Sequence, residues 1–162
     1  MSTTTAATAT RDARSLLTAE EFTGVVATVQ RANPGMDDAL AERITIEGLK
    51  FVATAANRAS GRMAPSPVVD EGWHALILHT RVYADLNTRL GGRFVHHIPQ
   101  PPNPTHPHAP GLLAYTQAAI EAAGFEVDAE LWEPGPTVAA DCQHVPACGD
   151  NDCNVECQSG PN

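Results

Sequence analysis

Past Arg93 this sequence contains no lysine or arginine. Residues 94–162 carry nine acidic side chains and no basic one, whereas residues 1–93 balance ten against ten, so the whole formal charge of −9 lies in the last third. A surface of that kind repels phosphate backbones and argues against nucleic acid as a partner, while favouring cations or a basic protein. No apolar run approaches membrane-spanning length, which argues against a membrane partner. The opening MSTTTAATATRDARSLL has no apolar centre of the signal-peptide kind, so a cytoplasmic protein with a disordered tail over residues 1–14 is expected. Catalytic signatures are also missing: no P-loop, no G-x-G-x-x-G and no G-x-S-x-G turn occurs, and no catalytic residue is assigned. Asp70 and Glu71 are adjacent, so on a helix they diverge by about 100°, which speaks against a two-acid glycosidase pair.

The chain is organised around Ser66–Pro99, SPVVDEGWHALILHTRVYADLNTRLGGRFVHHIP, which holds four of the seven histidines. Ser66 can cap a helix and Pro67 fits its first turn, where a missing N–H costs nothing. Asp70 and Glu71 suit the positive end of the helix dipole. Val69, Trp73, Leu76, Ile77, Thr80, Tyr83, Ala84 and Leu90 recur at three and four residues, and predict one long amphipathic helix that ends at Gly91-Gly92. On such a helix Asp70 and His74 share a face. His79, five residues beyond His74, stands about 140° away, so the two cannot ligate one ion from an unbroken helix. His79 is expected to stack with Tyr83.

The matching residues Pro65, Ser66, Val69, Asp70, Trp73, His74, Ile77, Leu78, Thr80, Tyr83, Leu90, Gly91, Phe94, His96 and His97 give the chain a resemblance to the bacterial branch of the glycine-rich domain-containing protein-like family. Its pattern is similar to P-S-x-x-V-D-x-x-W-H-x-x-I-L-x-T-x-x-Y followed by L-G-x-F-x-H-H. The resemblance extends weakly to Ile46–Val52 and Tyr115–Trp132. It implies a helical fold and no particular activity. Where relatives tend to carry a further histidine and a cysteine, this chain has Leu76 and Leu86-Asn87.

Upstream, Thr18-Ala-Glu-Glu21 fits a capping box with Leu17 stapled to Phe22, and Asn33-Pro34-Gly35 forms a turn. A second helix starts at Asp37 or Asp38, with Leu40, Ile44, Phe51, Val52 and Ala55 on one face. Gly48 shares that face at a cost of roughly 1 kcal/mol against alanine, which signals a close helix crossing. Downstream, PQPPNPTHPHAP places six prolines in twelve residues and predicts an extended connector without helix or strand ladder, bearing the solvated His106 and His108. Leu112–Ala123 reads as a short helix ended by Gly124, with Leu112, Tyr115 and Ala119 inward, and Phe125 and Trp132 fold back over the core edge. Residues 136–162 show no apolar periodicity and read as a tail without its own core.

Two groups could carry chemistry. Asp70, His74, His96 and His97 form a donor set suited to zinc or iron if the return segment brings a histidine to His74. The plainer reading is an Asp70–His74 pair that fixes the helix start, beside a Trp73 whose N–H finds a carbonyl. In the tail, Cys142, Cys148, Cys153 and Cys157, with His144, could take one Zn²⁺ or Cu⁺, although no C-x₂-C pair is present. A calcium loop is excluded because Val155 and Pro161 occupy the required glycine and glutamate positions.

The expected architecture is an all-α bundle of about four helices over residues 15–135, with a Pro-rich loop and an acidic, cysteine-bearing tail over 136–162. Three functions are carried forward. The first is a non-enzymatic binding or accessory module that captures a soft metal through its tail. The second is a metal-dependent enzyme centred on His74 and Asp70. The third is a scaffold that presents the tail cysteines to a modifying enzyme or other protein partner.

Overall fold

The first three helices begin where a side chain provides a cap, and the packing follows from the faces those starts set in phase. A computed structural model describes residues 10–58, 61–99, 111–133 and 142–144, the last three, like Ile98 and Pro99, through their backbone. The elements are α1 (Ala19–Ala32), α2 (Asp38–Ala56), α3 (Pro67–Leu78), α4 (Thr80–Leu90), β1 (His97–Pro99), α5 (Leu112–Ala122) and β2 (Cys142–His144), with short 3-10 turns at Ala13–Leu16 and Ala129–Trp132. The fold is all-α, and the two three-residue strands among the described residues form one antiparallel pair. None of the described helices is long and apolar enough to cross a membrane.

The predicted caps are present. Thr18 and Glu21 form a reciprocal capping box, Asp37 accepts from Leu40 N–H, and Ser66 accepts from Val69 N–H with Pro67 at the first helical position. Twelve of the nineteen residues of α2 are buried, including all of Phe51–Ala56, because α1 and α3 pack against it. Its crossing with α3 is glycine-dependent, as Gly48 indicated. A Cβ on Gly48 would lie 2.9 Å from the Gly72 carbonyl carbon, and one on Gly72 would lie 2.4 Å from the Ile44 oxygen. The backbones therefore touch where any side chain would hold them apart. Trp73, Phe51, Ile44 and Leu49 close the core around that point, each 1% exposed or less.

The expected long helix is two. α3 ends at His79 (φ −86°, ψ 63°) and α4 restarts at Thr80. His79 does not stack with Tyr83; its Nε2 lies 2.8 Å from the Thr28 hydroxyl on α1. The interruption re-phases the chain, so Tyr83, Leu86 and Asn87 are buried on α4 while Thr80 and Ala84 are exposed. Leu76 and Leu86, two of the positions singled out for lacking ligand residues, are fully buried.

The ordered fold also starts before residue 15. Ala13 is buried, and Arg11 N–H donates to Gly124 O at 2.8 Å. Tyr115 is not inward: it is 42% exposed and lies under the Arg58 guanidinium, while Thr116, Ala119 and Ile120 fill the inner face of α5. Phe125 and Trp132 do fold back onto the core. Trp132 Nε1 donates to the buried Glu47 carboxylate at 2.7 Å, and the chain's only lysine, Lys50, reaches the same group at 2.5 Å. Pro99, expected in a connector without strand structure, pairs with Cys142 at the end of β1, a position proline tolerates at a sheet edge. Residues 100–110, with His106 and His108, lie outside the described residues.

Candidate metal centre

Asp70 stands in the first turn of α3 because Ser66 and Pro67 fix where that helix begins. The Ser66 hydroxyl also donates to the Leu131 carbonyl, so the cap is tied to the chain's return over the core. One turn on, His74 places Nδ1 at 3.3 Å from Asp70 Oδ2. The Asp70 side chain is 6% exposed and that of His74 42%, so the pair has a buried end and an open end.

His97 comes from a different direction, carried by a buried polar relay. Trp73 Nε1 donates to the Tyr83 hydroxyl at 3.0 Å, and Tyr83 donates to Val95 O at 2.5 Å. Val95 N–H donates to Asn87 Oδ1 at 3.0 Å, while Asn87 Nδ2 holds Tyr83 O at 2.8 Å. The indole thus finds a hydroxyl rather than the expected carbonyl, and the hydroxyl passes the bond on. Gly92 lets the return segment touch α2, since a Cβ there would lie 2.1 Å from Ala56 O. The segment pinned in this way sets the His97 ring 4.5 Å from His74 and 4.8 Å, edge-on, from Trp73. Burial in this position pushes the His97 imidazole down to about 4, and the nearby His74 adds to the effect. The same burial raises the Tyr83 phenol to about 12. His97 Nε2 is buried with no hydrogen-bond partner among the described residues.

Asp70, His74 and His97 therefore offer one carboxylate oxygen and two imidazole nitrogens, all within 4.8 Å of one another. His96 does not join them; its ring packs against Phe94 at 4.8 Å. Bonds of about 2.0–2.1 Å to a tetrahedral ion place two ligand atoms about 3.3 Å apart. The Asp70–His74 separation of 3.3 Å matches that edge and exceeds the about 2.7–2.9 Å of a close charge-assisted bond.

Among the tail ligands, Cys142 and His144 are described through their backbone: His144 pairs with His97, and Cys142 with Pro99. Cys148, Cys153 and Cys157 lie outside the described residues. The tail is therefore tied to the domain at one strand rather than free throughout. Sequence reasoning missed Asn87 and Glu47. Their only signals were a polar residue four after Tyr83 on a buried face, and an i,i+3 pairing with the single lysine.

A family model described as UCP032817-like matches residues 12–105, more than half of the chain, and the protein belongs to that family. The matched span runs from the first ordered turn through α4 and β1, and so contains Asp70, His74 and His97. The family description names no activity and no glycine-rich relative. No curated protein and no solved structure matches the chain.

Proposed function

We propose that this domain binds one borderline divalent ion of the zinc or iron(II) type, with Asp70, His74 and His97 as protein ligands. The observation that carries this reading is the convergence of three ligand atoms within 4.8 Å, drawn from a helix start and from a separately pinned return segment. Two imidazoles and one carboxylate suit such ions better than calcium or magnesium, which prefer all-oxygen sets, or Cu⁺, which prefers thiolates. Asp70 and the acidic last third supply negative charge for a dication. The centre thus moves metal capture from the tail cysteines to the domain itself. A binding or accessory module is the favoured form of this function.

The test is isothermal titration of the purified, metal-stripped full chain with Zn²⁺, alongside H97A and D70A. Wild type is expected to bind at a site that both variants weaken by at least about tenfold, the loss that removal of even an outer-shell partner causes. Equal zinc affinity in all three proteins would remove the centre.

A further inference from the structure

Residues 91–97 form a strap that returns from the end of α4 to the centre, and only Val95 among them is buried. The strap backbone is bonded to two helices. Arg93 N–H donates to Ala56 O of α2 at 2.9 Å, while the Val95 N–H and carbonyl meet Asn87 and Tyr83 of α4. Toward α3 the strap offers ring contacts, His97 against Trp73 at 4.8 Å and against His74 at 4.5 Å. His97 Nε2 is buried there with no hydrogen bond among the described residues, and a buried polar atom left so disfavours the closed arrangement. The far end of the strap runs into the ribbon of β1 and β2, which has three residues per strand and is marginal by itself. An exposed segment with one buried side chain and few bonds belongs to the part of a fold that opens on its own, ahead of the core.

We infer that the ion is a catch that fastens this strap to α3, so that residues 91–97 open when the centre is empty and are held when it is filled. This inference rests on the centre proposed above and names what its occupancy regulates. Asp70 and His74 belong to α3 and His97 to the strap. Lifting the strap therefore breaks the site, and by linkage filling the site opposes the lifting. The consequence reaches the core. Val95 takes the Tyr83 hydroxyl on its carbonyl, and the Phe94 ring stands edge-on to Tyr83 at 5.4 Å, so an opened strap uncovers Tyr83. Ion capture is thereby converted into the order of one surface segment, which makes the domain a metal-dependent conformational switch.

Trypsin reads the strap directly. Arg93 is exposed within it and no lysine or arginine follows, so cleavage there releases residues 94–162 as one fragment of defined mass. The metal-stripped full chain is digested with and without Zn²⁺, in wild type and H74A, and initial rates at each site are followed by mass spectrometry, with zinc binding measured in parallel by calorimetry. In metal-free wild type, cleavage after Arg93 is expected to precede cleavage after Arg81 and Arg89 of α4. Free zinc at about a hundred times Kd is expected to slow it by about 100-fold. Cleavage after Arg14, in the turn before α1, is expected to keep its rate. The same zinc is expected to slow H74A by about tenfold at most. Zinc bound by wild type with no change at Arg93, or with an equal change at Arg14, overturns the catch and leaves the centre standing. Cleavage at Arg93 no earlier than at Arg81 and Arg89 in metal-free protein also overturns the catch, because the strap then has no opening of its own. No zinc binding by wild type, or equal slowing at Arg93 in wild type and H74A, overturns the centre and the catch with it.

Discussion

Replacing Gly72 with alanine sets two effects of opposite sign against each other. In an open helix interior the change stabilises by roughly 0.8–1 kcal/mol through backbone entropy. Here the new Cβ would stand 2.4 Å from the Ile44 oxygen and 3.0 Å from its carbonyl carbon, both backbone atoms of α2. Carbon–oxygen contacts settle at about 3.3–3.6 Å, so α2 and α3 must part by about 1 Å. No side chain can rotate out of the way, and the residues that feel the separation include the fully buried Trp73 and Ile44. Overpacking of a dense core costs typically 1–3 kcal/mol and sometimes more, and a backbone clash belongs at the upper end. After subtracting the entropy gain, a net loss of about 2 kcal/mol is expected. For a domain of this size that lowers Tm by about 4–8 °C. Gly24 supplies the control, because a Cβ there meets only the His79 ring, at an ordinary 3.4 Å. G24A is expected to gain up to about 1 kcal/mol. Urea unfolding followed by circular dichroism measures both variants. If G72A proves as stable as wild type with an unchanged m value, the contact between α2 and α3 backbones is not what organises this fold.

Two further predictions follow from the polar groups. Y83F strands the Trp73 indole N–H and the Val95 carbonyl, and with about 1–3 kcal/mol for each buried unpaired group the expected destabilisation is about 2–6 kcal/mol. The variant is also expected to weaken zinc binding although every ligand is present, and a change below about 0.5 kcal/mol, within the range of neutral surface substitutions, would refute the relay. Asp128 is held below the usual carboxylate range, chiefly by hydrogen bonds from Arg43 and against the opposing effect of burial. Its folded pKa lies below its unfolded one, so its contribution is complete above the unfolded value near 4 and disappears as pH falls through the folded value. The Tm gap between wild type and D128N is therefore expected to be widest near neutral pH and to close in acid. A gap that widens on acidification would contradict the assigned sign.

Sequence alone determined what depends on neighbours within one turn. Ser66 with Pro67, Thr18 with Glu21, and Asp37 begin their helices because each cap satisfies N–H groups only two or three residues away. Gly48 announced a close crossing, since a glycine in the middle of an apolar face has few other uses. The Asp70–His74 pair was legible for the same reason, as helical spacing alone brings i and i+4 together. Tertiary structure decided the rest. At the break, His79 meets a hydroxyl on α1, fifty-one residues away, and the restart at Thr80 sets which face of α4 is buried. The choice of His97 over its neighbour His96 depends on where the Tyr83–Val95–Asn87 relay pins the return segment, and two adjacent histidines look alike until that happens. The register that sets His144 opposite His97 joins residues from either side of a proline-rich stretch, a pairing that local propensity does not encode. Local hydrogen bonds are specified by the residues that make them, whereas convergence across the chain is specified only by the core that all of its elements share.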